Sequence, residues 1–174
     1  IRENAKQTFR YFAKQDVQIK VISGDNPLTV SKIAKEAGIE GSENYIDAST
    51  IKNNKQLIDA LRKYTVWGRV TPEQKRQIVQ CLQNLGNTVA MTGDGVNDVL
   101  ALKDADCSVA MASGSEAASQ VAQVVLLDND FSKMPSVVLE GRRVVNNIQR
   151  SAGLFFVMCF FSFLLSFLCF VFMF

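Results

Sequence analysis

Residues 91–98, Met91-Thr92-Gly93-Asp94-Gly95-Val96-Asn97-Asp98, close the β-branched run Thr88-Val89-Ala90-Met91 with a glycine-rich acidic turn that opens a helix. A strand that ends in such a turn is the joint of an open α/β sheet, where ligands bind beyond the carboxyl ends of the strands. Asp94 and Asp98 place two carboxylates four residues apart in this turn, a hard oxygen site suited to Mg²⁺ and a neighbouring phosphoryl group. Packing has little use for the cluster, like charges this close repel, and a bound cation is the simplest offset. A Ca²⁺-like structural site or plain turn chemistry is the alternative.

Outward from this turn, short apolar runs rich in β-branched residues recur: VQIKVI at 17–22, TVWGRV at 65–70, CSVAM at 107–111 and VVLL at 124–127. Longer stretches of helical spacing separate them, so the fold class is α/β, a Rossmann-like, mostly parallel sheet with flanking helices. Asn26-Pro27 marks one helix start, and Thr71-Pro72-Glu73-Gln74 marks another with the reciprocal glutamine of a capping box. Gly38 and Gly86 fall where these two helices should end.

Two further strand ends carry chemistry. Ser23-Gly24-Asp25-Asn26 follows the first run and precedes the proline-started helix. A small hydroxyl and a glycine there let backbone N–H groups approach a phosphate at the positive helix end, although a turn capped by Asn26 would read the same. Arg69 and Lys75 lie across the next strand end. A lysine in a first helical turn opposes the dipole unless an anion compensates it, and a solvated surface charge is the ordinary explanation.

Charge divides the chain. All 19 Lys and Arg and all 17 Asp and Glu lie at or before Arg150. The run from Leu154 to Phe174, LFFVMCFFSFLLSFLCFVFMF, has only Ser162 and Ser166 as clearly polar residues and would span roughly 31 Å as a helix, one hydrocarbon core. A transmembrane helix is expected, with Arg142, Arg143 and Arg150 on its cytoplasmic side. Helical spacing begins near Met134 and continues into the run, so one helix is expected to link the soluble domain to the bilayer. The ranges read as 1–132 for the domain, 133–152 for a stalk and 153–174 for the membrane helix. Cys81, Cys107, Cys159 and Cys169 have no metal-binding spacing and read as reduced packing residues, and the absence of histidine excludes a His-based triad. A net charge of +2 without a basic, aromatic-interleaved stripe argues against nucleic acid.

SGDN, GRVTPEQK and MTGDGVNDVLALKDAD, in this order and spacing, resemble P-type cation-transporting ATPases of the haloacid-dehalogenase-like superfamily. The likeness extends through VAMASGSEAASQVAQVVLLDNDFSKMPSVVLEGRRVVNNIQR, which is similar to the passage from that family's phosphorylation domain into its fifth membrane helix, most of all in the bacterial calcium-pump-like group. The resemblance implies a cycle in which ATP phosphorylates an aspartate and breakdown of the aspartyl-phosphate drives cation movement. It implies that Asp94 holds Mg²⁺, Asp98 supports that site and Asn97 contacts the phosphoryl group. Ser23 and Gly24 would bind phosphate oxygens, Asp25 would lie near the nucleotide, Lys75 would neutralise charge in the transition state and Arg69 would assist at the nucleotide end. The implied partners are the bilayer, the remaining domains of a pump, and a transported cation, Ca²⁺ or another divalent ion, with residues 1–150 cytoplasmic.

No Asp-Lys-Thr-Gly-Thr-like segment occurs in the chain, so the family's phosphorylated aspartate is not among these residues. The expectation is a pump fragment inactive by itself, with an unpaired sheet edge where the nucleophile strand would lie. Two other classes are compatible with parts of the pattern. A soluble phosphohydrolase of the superfamily would retain a nucleophile and lack the membrane run; a membrane-anchored remnant would hold Mg²⁺ or nucleotide without chemistry.

Overall fold

The computed structural model describes residues 4–172 and divides into two compact units, the first ending at Lys133 and the second beginning at Met134. In the first unit, helix and strand alternate: α1 (Ala5–Ala13), β1 (Val21–Ile22), α2 (Pro27–Glu36), β2 (Tyr45–Asp47), α3 (Asn54–Lys63), β3 (Val66–Gly68), α4 (Pro72–Asn84), β4 (Ala90–Gly93), α5 (Val99–Asp104), β5 (Cys107–Met111), α6 (Glu116–Val121) and β6 (Val124–Leu126). Every strand pairing is parallel, as helical crossovers require.

The strands form two three-stranded sheets, ordered β1-β3-β2 and β4-β5-β6. Val66 in the central β3 faces Val21 on one side and Tyr45 on the other, while Val109 in β5 faces Thr92 and Val124. The parallel α/β class matches expectation; the strands fall into two sheets, and β1 and β4 each pair on one side only among the described residues. With β3 as its sole partner, β1 is held as a strand only over Val21 and Ile22, although the apolar run is longer. Lys20, just before it, donates to the carbonyls of Leu61 and Tyr64 at 2.7 Å each, closing the end of α3.

Helix α4 ties the halves together through adjacent residues. Ile78 enters a core with Ala48, Leu57, Leu61, Trp67 and Val70, while Val79 enters another with Met91, Ala101, Leu102, Ala110 and Ala118. Both residues are almost completely buried, so the rotation of α4 is fixed by two cores at once. The Thr71–Gln74 capping box is formed, with Gln74 N–H donating to Thr71 Oγ1 and Thr71 N–H to Gln74 Oε1. Asn26 accepts from the Leu28 amide ahead of Pro27, and both predicted helix ends carry glycine in the left-handed region, Gly38 at φ 79° and Gly86 at φ 85°.

The second unit is one helix, α7 (Met134–Phe172), about 58 Å long at 1.5 Å per residue. It is long and apolar enough to cross a bilayer, with no charge from Ser151 onward. Neither Gly141 nor Gly153 interrupts it. Residues 1–3 and the last two residues of the predicted 153–174 span lie outside the described residues. All four cysteines are free; Cys81 packs at the margin of the first core, while Cys159 and Cys169 are exposed on α7.

Candidate phosphoryl and magnesium site

Three strand ends build the site. At the first, β1 delivers Ser23, whose N–H donates to Trp67 O and whose carbonyl accepts from Val70 N–H, at 2.9 and 3.0 Å. Ser23 Oγ donates to Asp25 Oδ2 and accepts from the Asp25 amide, so the turn is internally bonded before the Asn26 cap begins α2. Gly24 is not demanded by packing: a Cβ there would find only Val70 O, at 3.9 Å. The space over this backbone is therefore available to a ligand.

At the second strand end, Gly68 is required by contact. A Cβ at residue 68 would stand 2.4 Å from Pro27 N and Cα, so β3 and the first turn of α2 touch backbone to backbone. Immediately beyond it, Arg69 has φ 52°, a left-handed conformation that costs a non-glycine residue roughly 1–2 kcal/mol. Three contacts hold the segment there: Arg69 N–H donates to Asp25 O at 2.8 Å, Gly68 rests on Pro27, and Arg69 Nη1 meets Asp47 Oδ2 at 2.9 Å. The Asp47 carboxyl is itself bonded by the hydroxyl and amide of Ser49, which together with the Arg69 guanidinium hold it below the usual carboxylate range.

The third is the turn of residues 93–98. Asp98 is buried, its Oδ2 accepting from the Gly95 amide at 3.3 Å and its Oδ1 bound by Lys75 Nζ at 2.7 Å. Side-chain exposure is only 12% for Lys75 and 10% for Asp98, whereas the pairs Arg69–Asp47, Arg76–Asp104 and Arg143–Glu140 each have at least one partner well exposed to solvent. A Cβ on Gly93 would fall 2.6–2.8 Å from the Asp98 side chain, so Gly93 is the floor on which this carboxylate lies. The anion expected opposite Lys75 is thus Asp98, and the cation that relieves the Asp94–Asp98 repulsion at Asp98 is Lys75.

Asp94 differs in kind. It is exposed, and its carboxylate makes no hydrogen bond or ion pair among the described residues. It lines a cavity of about 310 Å³ with Thr8, Ser113, Asn129, Asp130 and Ser132. Asn97, also exposed, lies on the same turn. The fold brings Lys75, Asp94, Asn97 and Asp98 into one turn and its neighbour, and Ser23, Gly24, Asp25 and Arg69 into another pair of bonded loops. Sequence reasoning missed Asp47, whose Asp-x-Ser spacing after an apolar pair is the signal of a capping aspartate, and it missed Gly68, whose role depends on contact across chain segments.

Comparison with known proteins agrees with these motifs. A haloacid dehalogenase-like hydrolase family model matches residues 1–106, and the chain belongs to that family. Within it, the relatives are P-type cation-transporting ATPases. The calcium-transporting ATPase CtpE of Mycobacterium bovis is 53% identical over 169 residues, 97% of this chain and 21% of that protein. The protein named probable cation-transporting ATPase exp7 of Streptococcus pneumoniae is 48% identical over 169 residues, 97% of this chain and 22% of its own length. A zinc-transporting PIB-type ATPase, solved in its E2·Pi state, superposes with a TM-score of 0.67 at 26% identity, over 86% of this chain and 21% of that one. The chain therefore spans about a fifth of the length of the curated relatives it matches.

Proposed function

We propose that these residues form the Mg²⁺ and phosphoryl half-site, with the attached membrane helix, of an ATP-driven cation pump. The observation that carries the reading is the pairing within the acidic turn: Asp98 is buried against Lys75 at 2.7 Å, while Asp94, one turn away, is exposed with its carboxylate unengaged. No group of three carboxylate, cysteine or histidine side chains that could hold a metal occurs among the described residues. One free carboxylate suits Mg²⁺, which is commonly held through one or two carboxylates together with waters and phosphate oxygens.

In this reading Asp94 holds the ion and Asp98 supports it from beneath by fixing Lys75 and the Gly95 amide. Bound Mg²⁺ supplies neutralisation of phosphoryl oxygens. Lys75, held by Asp98, presents a positive charge whose position is set before substrate arrives, the preorganisation that makes charge stabilisation effective. Ser23 and the open backbone at Gly24 bind phosphate oxygens, Asn97 contacts the transferred group, and Arg69, with Asp25 beside it, meets the nucleotide. ATP is the phosphoryl donor, and the phosphorylated aspartate lies elsewhere in the whole pump.

The transported ion is Ca²⁺ in this proposal, because calcium transport is what the CtpE relative is named for at 53% identity. α7 crosses the cell membrane, with Arg142, Arg143 and Arg150 facing the cytoplasm together with the first unit. A soluble hydrolase of the same family has no use for a helix whose last stretch, from Ser151 to Phe172, is uncharged and exposed. The test is ATP-driven ⁴⁵Ca²⁺ uptake into inverted vesicles containing the full-length gene product, with Lys75→Ala and Asp94→Asn as controls. Uptake lost in both variants supports the reading. ATP hydrolysis without uptake of any divalent ion would point to the soluble-type chemistry instead.

A further inference from the structure

The loop between β5 and α6 touches the acidic turn backbone to backbone. A Cβ built on Gly114 would stand 2.4 Å from Asp94 O, 2.9 Å from Asp94 Cα and 3.0 Å from Asp94 Cβ. The first two of these atoms are backbone and cannot rotate away. Beside it, the Ser115 amide donates to Asp94 O at 2.6 Å, the shortest backbone bond linking these loops. The loop's own end is anchored: Gly114 N–H donates to Met111 O at 3.0 Å, Ala112 N–H to Leu126 O at 3.1 Å and Ser113 N–H to Asn129 Oδ1 at 2.7 Å. Asp94 therefore has a carboxylate without a partner among the described residues, on a backbone clamped from a different strand end.

We propose that Gly114 and Ser115 are positioning residues for the metal-binding carboxylate: they hold the Asp94 backbone so that its side chain is aimed before the ion binds. The inference rests on the reading of Asp94 as the magnesium ligand. Gly114 acts by permitting backbone contact, and Ser115 acts through its N–H, its hydroxyl having no part. A residue that orients a metal ligand from outside the coordination sphere typically affects metal affinity by about 10–100-fold.

Two substitutions separate the clamp from general folding. Gly114→Ala drives a methyl into Asp94 O. Ser115→Pro removes the donor and sets its ring Cδ where the N–H pointed, against Asp94 O, so it opens the clamp at the Ser115 side while φ −66° at that position suits the ring. Gly141→Ala is the control, since nothing lies within 4 Å of a Cβ there.

The experiment is Mn²⁺ titration of the full-length gene product in detergent micelles, followed by the loss of the free-ion electron paramagnetic resonance signal, with the thermal midpoint of each variant measured alongside. Ser115→Pro and Gly114→Ala are expected to weaken Mn²⁺ binding at least tenfold, with Ser115→Ala and Gly141→Ala unchanged. If Gly114→Ala fails to fold, Ser115→Pro alone decides. Binding unchanged in a folded Ser115→Pro chain overturns the clamp. Binding unchanged in Asp94→Asn overturns the underlying ligand assignment instead, so the two failures are distinguishable.

Discussion

Replacing Lys75 by methionine tests the buried ion pair on which the site is built. Methionine keeps most of the aliphatic stem and removes only the ammonium that meets Asp98 Oδ1 at 2.7 Å. The carboxylate left behind is 10% exposed, lies on Gly93 and keeps a single backbone donor, the Gly95 amide at 3.3 Å. Breaking a buried pair from one side costs about 3–5 kcal/mol, because the remaining charge is stranded away from water. At about 3 °C per kcal/mol for a unit of this size, Lys75→Met should lower the thermal midpoint by roughly 10 °C. Adding Asp98→Asn, which discharges the stranded group and can still accept from Gly95, should recover most of that loss. The exposed pair Arg143–Glu140, 3.7 Å apart with 74% and 65% exposure, supplies the contrast: Glu140→Gln should change stability by no more than about 0.5 kcal/mol. Circular dichroism melts of the full chain in micelles read all of these. A Lys75→Met midpoint within about 2 °C of the parent, or a double variant no better than the single, would refute the claim that the two charges stabilise each other in a desolvated place.

Two further outcomes follow from particular contacts. Gly68→Ala should abolish folding or cost several kcal/mol, because its methyl would sit 2.4 Å from Pro27 backbone atoms; urea unfolding checks this, and Gly24→Ala, whose nearest neighbour is 3.9 Å away, should be tolerated. Asp104 is held below its ordinary value of 3.8, chiefly by the Arg76 guanidinium at 2.6 Å and also by the Gln80 amide. A depressed carboxyl contributes stability that is complete above the unfolded value and lost as pH falls through the folded one. Melting midpoints should therefore drop below about pH 3.8 with a step that Arg76→Met removes; an identical acid limb in that variant would exclude the pair as its source.

The alternation of strand and helix, the two capped helix starts and the glycines at 38 and 86 were legible because each rests on a local rule: spacing, a side chain reaching three residues, a backbone that only glycine adopts cheaply. The acidic turn was legible for the same reason, since Asp94 and Asp98 are neighbours in sequence. What separated them was not. The division of labour between an exposed Asp94 and a buried Asp98 depends on Lys75, which reaches Asp98 from α4, 23 positions earlier in the chain. β2 has only three residues and an exposed tyrosine at its start, so it lacked the apolar run that marks the other strands. The division into two three-stranded sheets was not legible either, because strand order is decided by which edges meet, and periodicity along a chain carries no record of that.

The claim that Asp94, served by Lys75 and Asp98, is the centre of the chemistry is tested most directly by phosphoenzyme formation. The full-length gene product would be incubated with γ-labelled ATP and Mg²⁺, quenched in acid, and compared with Asp94→Asn and with Asp59→Asn as a surface control on α3. Label retained in Asp59→Asn and lost in Asp94→Asn is the predicted result. Undiminished, acid-stable label in Asp94→Asn, at Mg²⁺ concentrations that saturate the parent, would contradict it.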